Sequence, residues 1–131
     1  MKASTNERAA IARQLITLLD LTSLGASDMD SDIEDLCRRA VTPFGAVAAV
    51  CIWPRHVSTA GRMLAGTRVR VCTVANFPDG RNDVHAVARE VSHAVAAGTQ
   101  EVDVVFPFEA ARDRTWDGGT AFVEACRAAA D

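Results

Sequence analysis

The sequence predicts an α/β fold built around a parallel sheet, and three observations lead to this prediction. Two segments with helical spacing of apolar residues open the chain. Three continuous apolar runs follow, at residues 46–53, 69–75 and 102–106. Further helical segments separate these runs, which gives the order helix, helix, then β-α-β-α-β-α. Strands that alternate with helices in this way are joined in parallel by crossover connections.

The first helix is predicted from its start signal and its spacing. Ser4 and Glu7 form a capping box, in which each side chain bonds the backbone amide of the other residue. Apolar residues then recur at i, i+4, i+7 and i+8, as on one buried face: Ile11, Leu15, Leu18 and Leu19. A second helical pattern runs over residues 29–40 after an acidic start, and Pro43 stops it.

The three apolar runs are predicted to be strands. They are rich in Val and bounded by Pro or Gly, which suits strands buried on both faces of a parallel sheet. A helix over residues 84–95 lies between the second and third runs, with Gly98 ending it. A loop at residues 116–119 precedes a final helix at 121–129. The spacing fits a TIM barrel and an open doubly wound sheet equally well.

Composition and charge restrict the function classes. The 131 residues are 49% apolar and 24% charged, and we expect them to form a single domain, 1–131. A net charge of -3 gives no electrostatic footprint for nucleic acid or an anionic membrane. No signal-peptide core or membrane span is visible, and the cysteines lie in apolar runs as if buried and reduced. We therefore expect a cytoplasmic protein.

The candidate site residues lie where strands end, because function concentrates there in βα folds. Asp103 stands inside an apolar strand, where we expect it to be buried. It is then either paired with a cation supplied from elsewhere, a proton-handling carboxylate, or an Asp bonded to backbone amides at the sheet rim. Asp20 is either functional or a turn residue at the end of the first helix. Cys51 is either a nucleophile or, as we favour, a buried structural thiol. The three histidines are too scattered to predict a metal site.

Four stretches of the chain resemble the deoxyribose-phosphate aldolase family. They occur in the order and with the spacing of that family over nearly the whole chain: LLDLTSL (18–24), TPFGAVAAVCIWPR (42–55), VCTVANFPDG (71–80) and EVDVVFPF (101–108). The resemblance favours a TIM barrel, of which this chain would supply two N-terminal helices and about three parallel βα units.

The resemblance also implies an activity and a set of site residues. The family cleaves 2-deoxy-D-ribose 5-phosphate reversibly to D-glyceraldehyde 3-phosphate and acetaldehyde through a Schiff base on a lysine. By the resemblance, Asp103 and Asp20 are catalytic, and Thr22, Cys51 and Phe77 bind substrate. The expected ligand is a small phosphosugar or aldehyde, with no metal and no cofactor.

The lysine of that chemistry is missing from the matched stretches. Of the 14 lysine and arginine residues, only Lys2 is a lysine, and it precedes the first helix. The Schiff-base lysines of the family lie on later strands, so we expect the 131-residue chain to be an N-terminal part that is inactive alone. Self-association or a complementing C-terminal chain would complete the barrel. The alternative is a catalytically silent βα module that self-associates or binds a partner chain.

Overall fold

The computed structural model describes residues 4–114 and 117–131. The elements in chain order are α1 (Thr5–Ile16), β1 (Asp20–Ser23), α2 (Asp30–Arg39), β2 (Val41–Thr42), β3 (Gly45–Ala46), β4 (Ala49–Ile52), a short 3-10 helix (Pro54–His56), α3 (Val57–Met63), β5 (Arg70–Ala75), α4 (Val84–Ala96), β6 (Glu101–Val104), α5 (Phe108–Arg112) and α6 (Asp117–Ala130). Strands β1, β4, β5 and β6 form one parallel sheet in that order. Strands β2 and β3 form a separate antiparallel hairpin.

Helix α1 begins as the sequence predicts, but its apolar face is not buried. Ser4 and Glu7 make the predicted capping box, and the helix ends at Ile16. Leu18 and Leu19 therefore lie beyond the helix, and together with Ile11 and Leu15 they are more than half exposed. The prediction of a buried face was wrong, because Ile16 is the helical residue that packs against the core.

Strand β1 is an element that the sequence did not predict. Asp20 opens this strand and pairs in register with Ala49 of β4, so the alternative that it is a turn residue at the end of the first helix was wrong. The strand has only four residues, with alternating exposure, and it follows a leucine-rich helix directly. An alternation this short cannot be distinguished in the sequence from a continuation of the helical pattern. The sheet consequently has four parallel strands where three were predicted.

The outer face of the sheet carries most of the core. Val50 and Ile52 of β4 pack with Ile33 and Leu36 of α2 and with Val57 of α3. Each fully buried aliphatic side chain of this kind contributes about 1.5–3 kcal/mol to folding. At the other end of the sheet, α4 and α6 cover β5 and β6 with a second cluster: Ala75, Val87, Val91 and Phe122.

The opposite, concave face of the sheet is only partly covered. Its buried residues are Ala49, Cys51, Cys72 and Val74, with Leu24 and Trp53 packed beside them. Burial on both faces holds for β4, whose four residues are all buried. For β6 that prediction was wrong, because β6 pairs only with β5 among the described residues and its concave face is open.

Several smaller predictions have clear outcomes. Gly98 follows α4 with a positive φ of 97°, as the predicted helix end requires. Gly118 and Gly119 lie in α6, so the loop predicted at 116–119 was wrong at these positions. Trp116 of that predicted loop lies outside the described residues, and so does Lys2. In the part of the chain that the structure describes, no helix has the length and hydrophobicity needed to cross a membrane.

Candidate functional site

A cavity of about 260 Å³ opens at the carboxyl ends of the parallel strands, on the concave face. It brings together four of the five predicted site residues: Thr22, Cys51, Phe77 and Asp103. Leu24, Val74, Val104 and Val105 complete its lining. The site is therefore an apolar pocket with a hydroxyl, a thiol and a carboxylate at its wall, which is the usual make-up of a small-molecule site.

Asp103 lies on β6 with its side chain towards this cavity, and it is exposed. The expectation of a buried carboxylate was wrong, because the concave side of β6 carries no covering layer in the described residues. The Cys51 thiol donates to Asp103, with its Sγ 3.9 Å from Asp103 Oδ2. An exposed carboxylate at the wall of a cavity can accept or donate a proton without a large desolvation cost.

Cys51 has a neighbour that the sequence did not single out. Parallel pairing of β4 and β5 sets Cys51 directly beside Cys72, and both are buried. The neighbouring Cys72 thiol lowers the pKa of Cys51, although burial and the charge of Asp103 act in the opposite direction. The proximity of Cys51, followed by burial, raises the pKa of Cys72, whose Sγ donates to the Thr73 carbonyl at 3.7 Å. Cys51 is thus the thiol of the pair that ionises first.

Asp20 occupies the amino end of β1 and does not line the cavity. Partial burial, followed by the negative charges of Glu101 and Asp103, raises the pKa of Asp20 above its ordinary value. The Thr22 hydroxyl donates to the backbone carbonyl of Asp20 at 3.3 Å, so the two residues of β1 are linked locally. Asp20 therefore contributes charge to the concave face rather than a cavity wall.

Arg70 and Glu101 are further charged residues of this face that sequence reasoning missed. Arg70 Nη1 lies 2.7 Å from Glu101 Oε1, across the β5–β6 pair. Since Arg70 is paired there, the carboxylates of Asp20 and Asp103 leave the described part of the concave face with an excess of negative charge. Such a face favours a cationic group placed over it.

The loop after β5 positions Phe77 through a buried asparagine. Asn76 Nδ2 donates to the carbonyls of Arg81 and Val105, both at 2.9 Å, and its Oδ1 accepts from the Arg81 amide at 3.0 Å. The backbone N–H of Asn76 donates to the Glu90 carboxylate at 2.7 Å. These bonds fix the loop to β6 and α4, and they hold Asn76 at a positive φ of 56°.

Aromatic and basic groups that do not themselves line the cavity form a rim next to it, beside Phe77. The Trp53 ring meets Phe77 edge to face, with centroids 5.5 Å apart, and its Nε1 donates to the Gly25 carbonyl at 3.2 Å. Next to it, the buried His56 donates from Nδ1 to Asp30 at 2.6 Å. Because this rim joins the loops after β1 and β4, the positions of Trp53 and Phe77 depend on both loops.

The described residues contain one set of side chains with the spacing of metal ligands. The Sγ atoms of Cys51 and Cys72 and a carboxylate oxygen of Asp103 all lie within 4.8 Å of one another. His85 and His93 are exposed on α4. Neither of these two histidines belongs to this set.

Parallel strands with helices on the outer face and a cavity at their carboxyl ends define a chain of the TIM-barrel class. Comparison with known proteins specifies the family. The model of the DeoC/LacD family of aldolases matches residues 14–131, and the chain belongs to this family. The fold predicted from the sequence, part of a TIM barrel, is confirmed.

Solved structures agree with this assignment. A protein from Coccidioides immitis described as a deoxyribose-phosphate aldolase is 25% identical, with a TM-score of 0.82, and the match covers 99% of this chain and 59% of that one. An aldolase called QR15 is also 25% identical, with a TM-score of 0.77 over 87% of this chain and 50% of that one.

A third match, at 18% identity, supports the fold alone. It is the tetrameric deoxyribose phosphate aldolase of Aeropyrum pernix, with a TM-score of 0.72 over 98% of this chain and 57% of that one. In these three matches the chain covers 59%, 50% and 57% of the solved structures, so it spans between half and three fifths of their length.

Proposed function

We propose that this chain supplies the acidic side of a Schiff-base aldolase site acting on 2-deoxy-D-ribose 5-phosphate. The observation that carries the proposal is that Thr22, Cys51, Phe77 and Asp103 line one cavity in a member of an aldolase family. The products would be D-glyceraldehyde 3-phosphate and acetaldehyde. The apolar walls suit the small aldehyde, and the open mouth leaves room for the longer phosphosugar.

In this proposal Asp103 transfers protons, because it is the carboxylate of the cavity wall and remains accessible. Asp20 assists through its charge, and Thr22 offers a hydroxyl to the substrate. Cys51 and Phe77 shape the pocket beside the carbonyl carbon. A positioned acid or base of this kind contributes about 10²–10⁴-fold to a rate.

The amine that forms the Schiff base is not among residues 4–131, since Lys2 is the only lysine of the sequence. The excess of carboxylates on the concave face would stabilise the ammonium form of a lysine placed over it. We therefore propose that residues 4–131 are inactive by themselves and act together with a lysine-bearing C-terminal half-barrel.

The test combines trapping with complementation. The purified chain is incubated with the deoxysugar phosphate and borohydride, and the adducts are located by mass spectrometry. We expect no adduct except at Lys2. Co-expression with the C-terminal half-barrel of a family member should restore cleavage, and Asp103→Asn in this chain should reduce it about 100-fold or more.

The matched control for this substitution is Asp35→Asn, on the exposed surface of α2. It should leave the restored rate unchanged. Cleavage by the 131-residue chain alone, or equal rates for the Asp103→Asn and Asp35→Asn variants, would contradict the proposed roles.

A second candidate function is that of a self-associating module without catalytic activity. The observation in its favour is the exposed apolar stripe at the start of the chain, formed by Ile11, Leu15, Leu18 and Leu19. Stripes of this kind mark protein interfaces. Sedimentation should show concentration-dependent association that Leu15→Ser weakens, and a well-folded monomer at all concentrations would exclude this candidate.

A further inference from the structure

Two thiols and a carboxylate converge on the concave face from three adjacent strands. Cys51 of β4 and Cys72 of β5 are register partners, and Asp103 follows on β6. The donor atoms of all three lie within 4.8 Å of one another, and Cys51 Sγ is 3.9 Å from Asp103 Oδ2. Because all three strands belong to one hydrogen-bonded sheet, this arrangement is set by the backbone rather than by a mobile loop.

The spacing is close to that of a tetrahedral metal centre. With Zn–S bonds of about 2.3 Å and Zn–O bonds of about 2.0 Å, two ligand atoms lie about 3.5–3.8 Å apart. Side-chain rotations that move the donor atoms by up to about an ångström would bring the three atoms from their separations of at most 4.8 Å to that geometry. Thiolate ligands select soft cations such as Zn²⁺ and Cd²⁺ over Mg²⁺ and Ca²⁺.

We propose that Cys51, Cys72 and Asp103 form a binding site for a thiophilic divalent cation. The cation is bound by two thiolate sulfurs and one carboxylate oxygen, and both thiol protons pass to solvent on binding. A fourth coordination position faces the cavity, because Asp103 and Cys51 line it. A cation held there covers the groups assigned to aldolase chemistry, so it inhibits that reaction.

The site does not depend on the aldolase activity, and its test uses binding alone. The full chain, kept reduced with a phosphine, is titrated with CdCl₂ while the ultraviolet sulfur-to-cadmium charge-transfer band is followed. One Cd²⁺ per chain is expected, and ZnCl₂ should displace it. Cys51→Ser and Cys72→Ser should each weaken binding at least about 100-fold, since each removes a ligand, a larger loss than the 10–100-fold of a second-shell change.

Asp103→Asn and Cys126→Ser provide the decisive comparison. Asp103 is exposed, so its substitution preserves the fold, which circular dichroism verifies. It should weaken Cd²⁺ binding about tenfold or more, a smaller loss than that of a thiolate, because a carboxylate is the weaker ligand for a soft cation. Cys126 lies on α6 away from the cavity and should have no effect. Absence of the charge-transfer band, equal affinity in the Cys72→Ser variant, or no change in Asp103→Asn overturns the three-ligand site.

Discussion

Asn76 is the residue whose replacement tests most directly how the site is positioned. Its side chain is 1% exposed and makes three hydrogen bonds, of which Nδ2 donates two. Asn76→Asp preserves the shape but turns this donor into an acceptor that faces the carbonyls of Arg81 and Val105. Each buried acceptor left without a donor costs about 1–3 kcal/mol, so the expected loss of stability is roughly 3 kcal/mol.

Urea and thermal denaturation of the parent chain and the variant measure this loss. A change of about 3 kcal/mol lowers the Tm of a domain of this size by about 10 °C. The deficit should shrink at acidic pH, because a protonated carboxyl can donate one of the two lost hydrogen bonds. The matched control is Asn82→Asp at an exposed position of the same loop, which should change little. A loss below about 1 kcal/mol, or one equal to the control, would refute the anchoring role.

Two further substitutions test local sterics and charge. Gly80 has a φ of 60°, and a Cβ there would lie 2.6 Å from the Phe108 ring, so Gly80→Ala should destabilise the chain by about 2–4 kcal/mol in denaturant titrations. Gly66→Ala is the control, since Gly66 shares the positive φ but meets nothing within 4 Å, and an equal loss would show that strain alone acts. The pKa of Asp20 is raised in the folded chain, so its charged form opposes folding. Asp20→Asn should therefore stabilise the chain near neutral pH. This gain should vanish below pH 3.8, the ordinary pKa of the carboxyl, because Asp20 is then protonated in both the folded and the unfolded chain. A gain that persists at acidic pH would contradict this explanation.

The parts of the fold that the sequence predicted are those with local signals. The capping box of Ser4 and Glu7 and the glycine at position 98 mark helix ends through bonds within a few residues. The run that forms β4 was recognised because all four of its residues are buried. Strand β1 was missed because its evidence is its pairing with β4, a contact between residues distant in sequence.

The site was predicted incompletely for the same reason. Thr22, Cys51, Phe77 and Asp103 were proposed from a resemblance, and the structure places all four around one cavity. Cys72 could not be assigned, because only the register of β4 and β5 sets it beside Cys51. The exposure of Asp103 also depends on what covers the concave face, which no local pattern in EVDVVFP encodes.

The contact between His56 and Asp30 gives a further prediction, because it ties the rim beside the cavity to α2. His56 donates from Nδ1 to Asp30 at 2.6 Å, and this hydrogen bond lowers the pKa of the carboxyl below its ordinary 3.8. A depressed pKa stabilises the folded chain above pH 3.8, and this contribution is lost as the pH falls through the folded-state value. Asp30→Asn should therefore lower the urea midpoint at pH 7, whereas the parent and variant should converge at strongly acidic pH. Asp35→Asn, exposed on the same helix, supplies the control for the loss of one negative charge. Equal effects of the two variants at pH 7 would mean that the contact does not stabilise this rim.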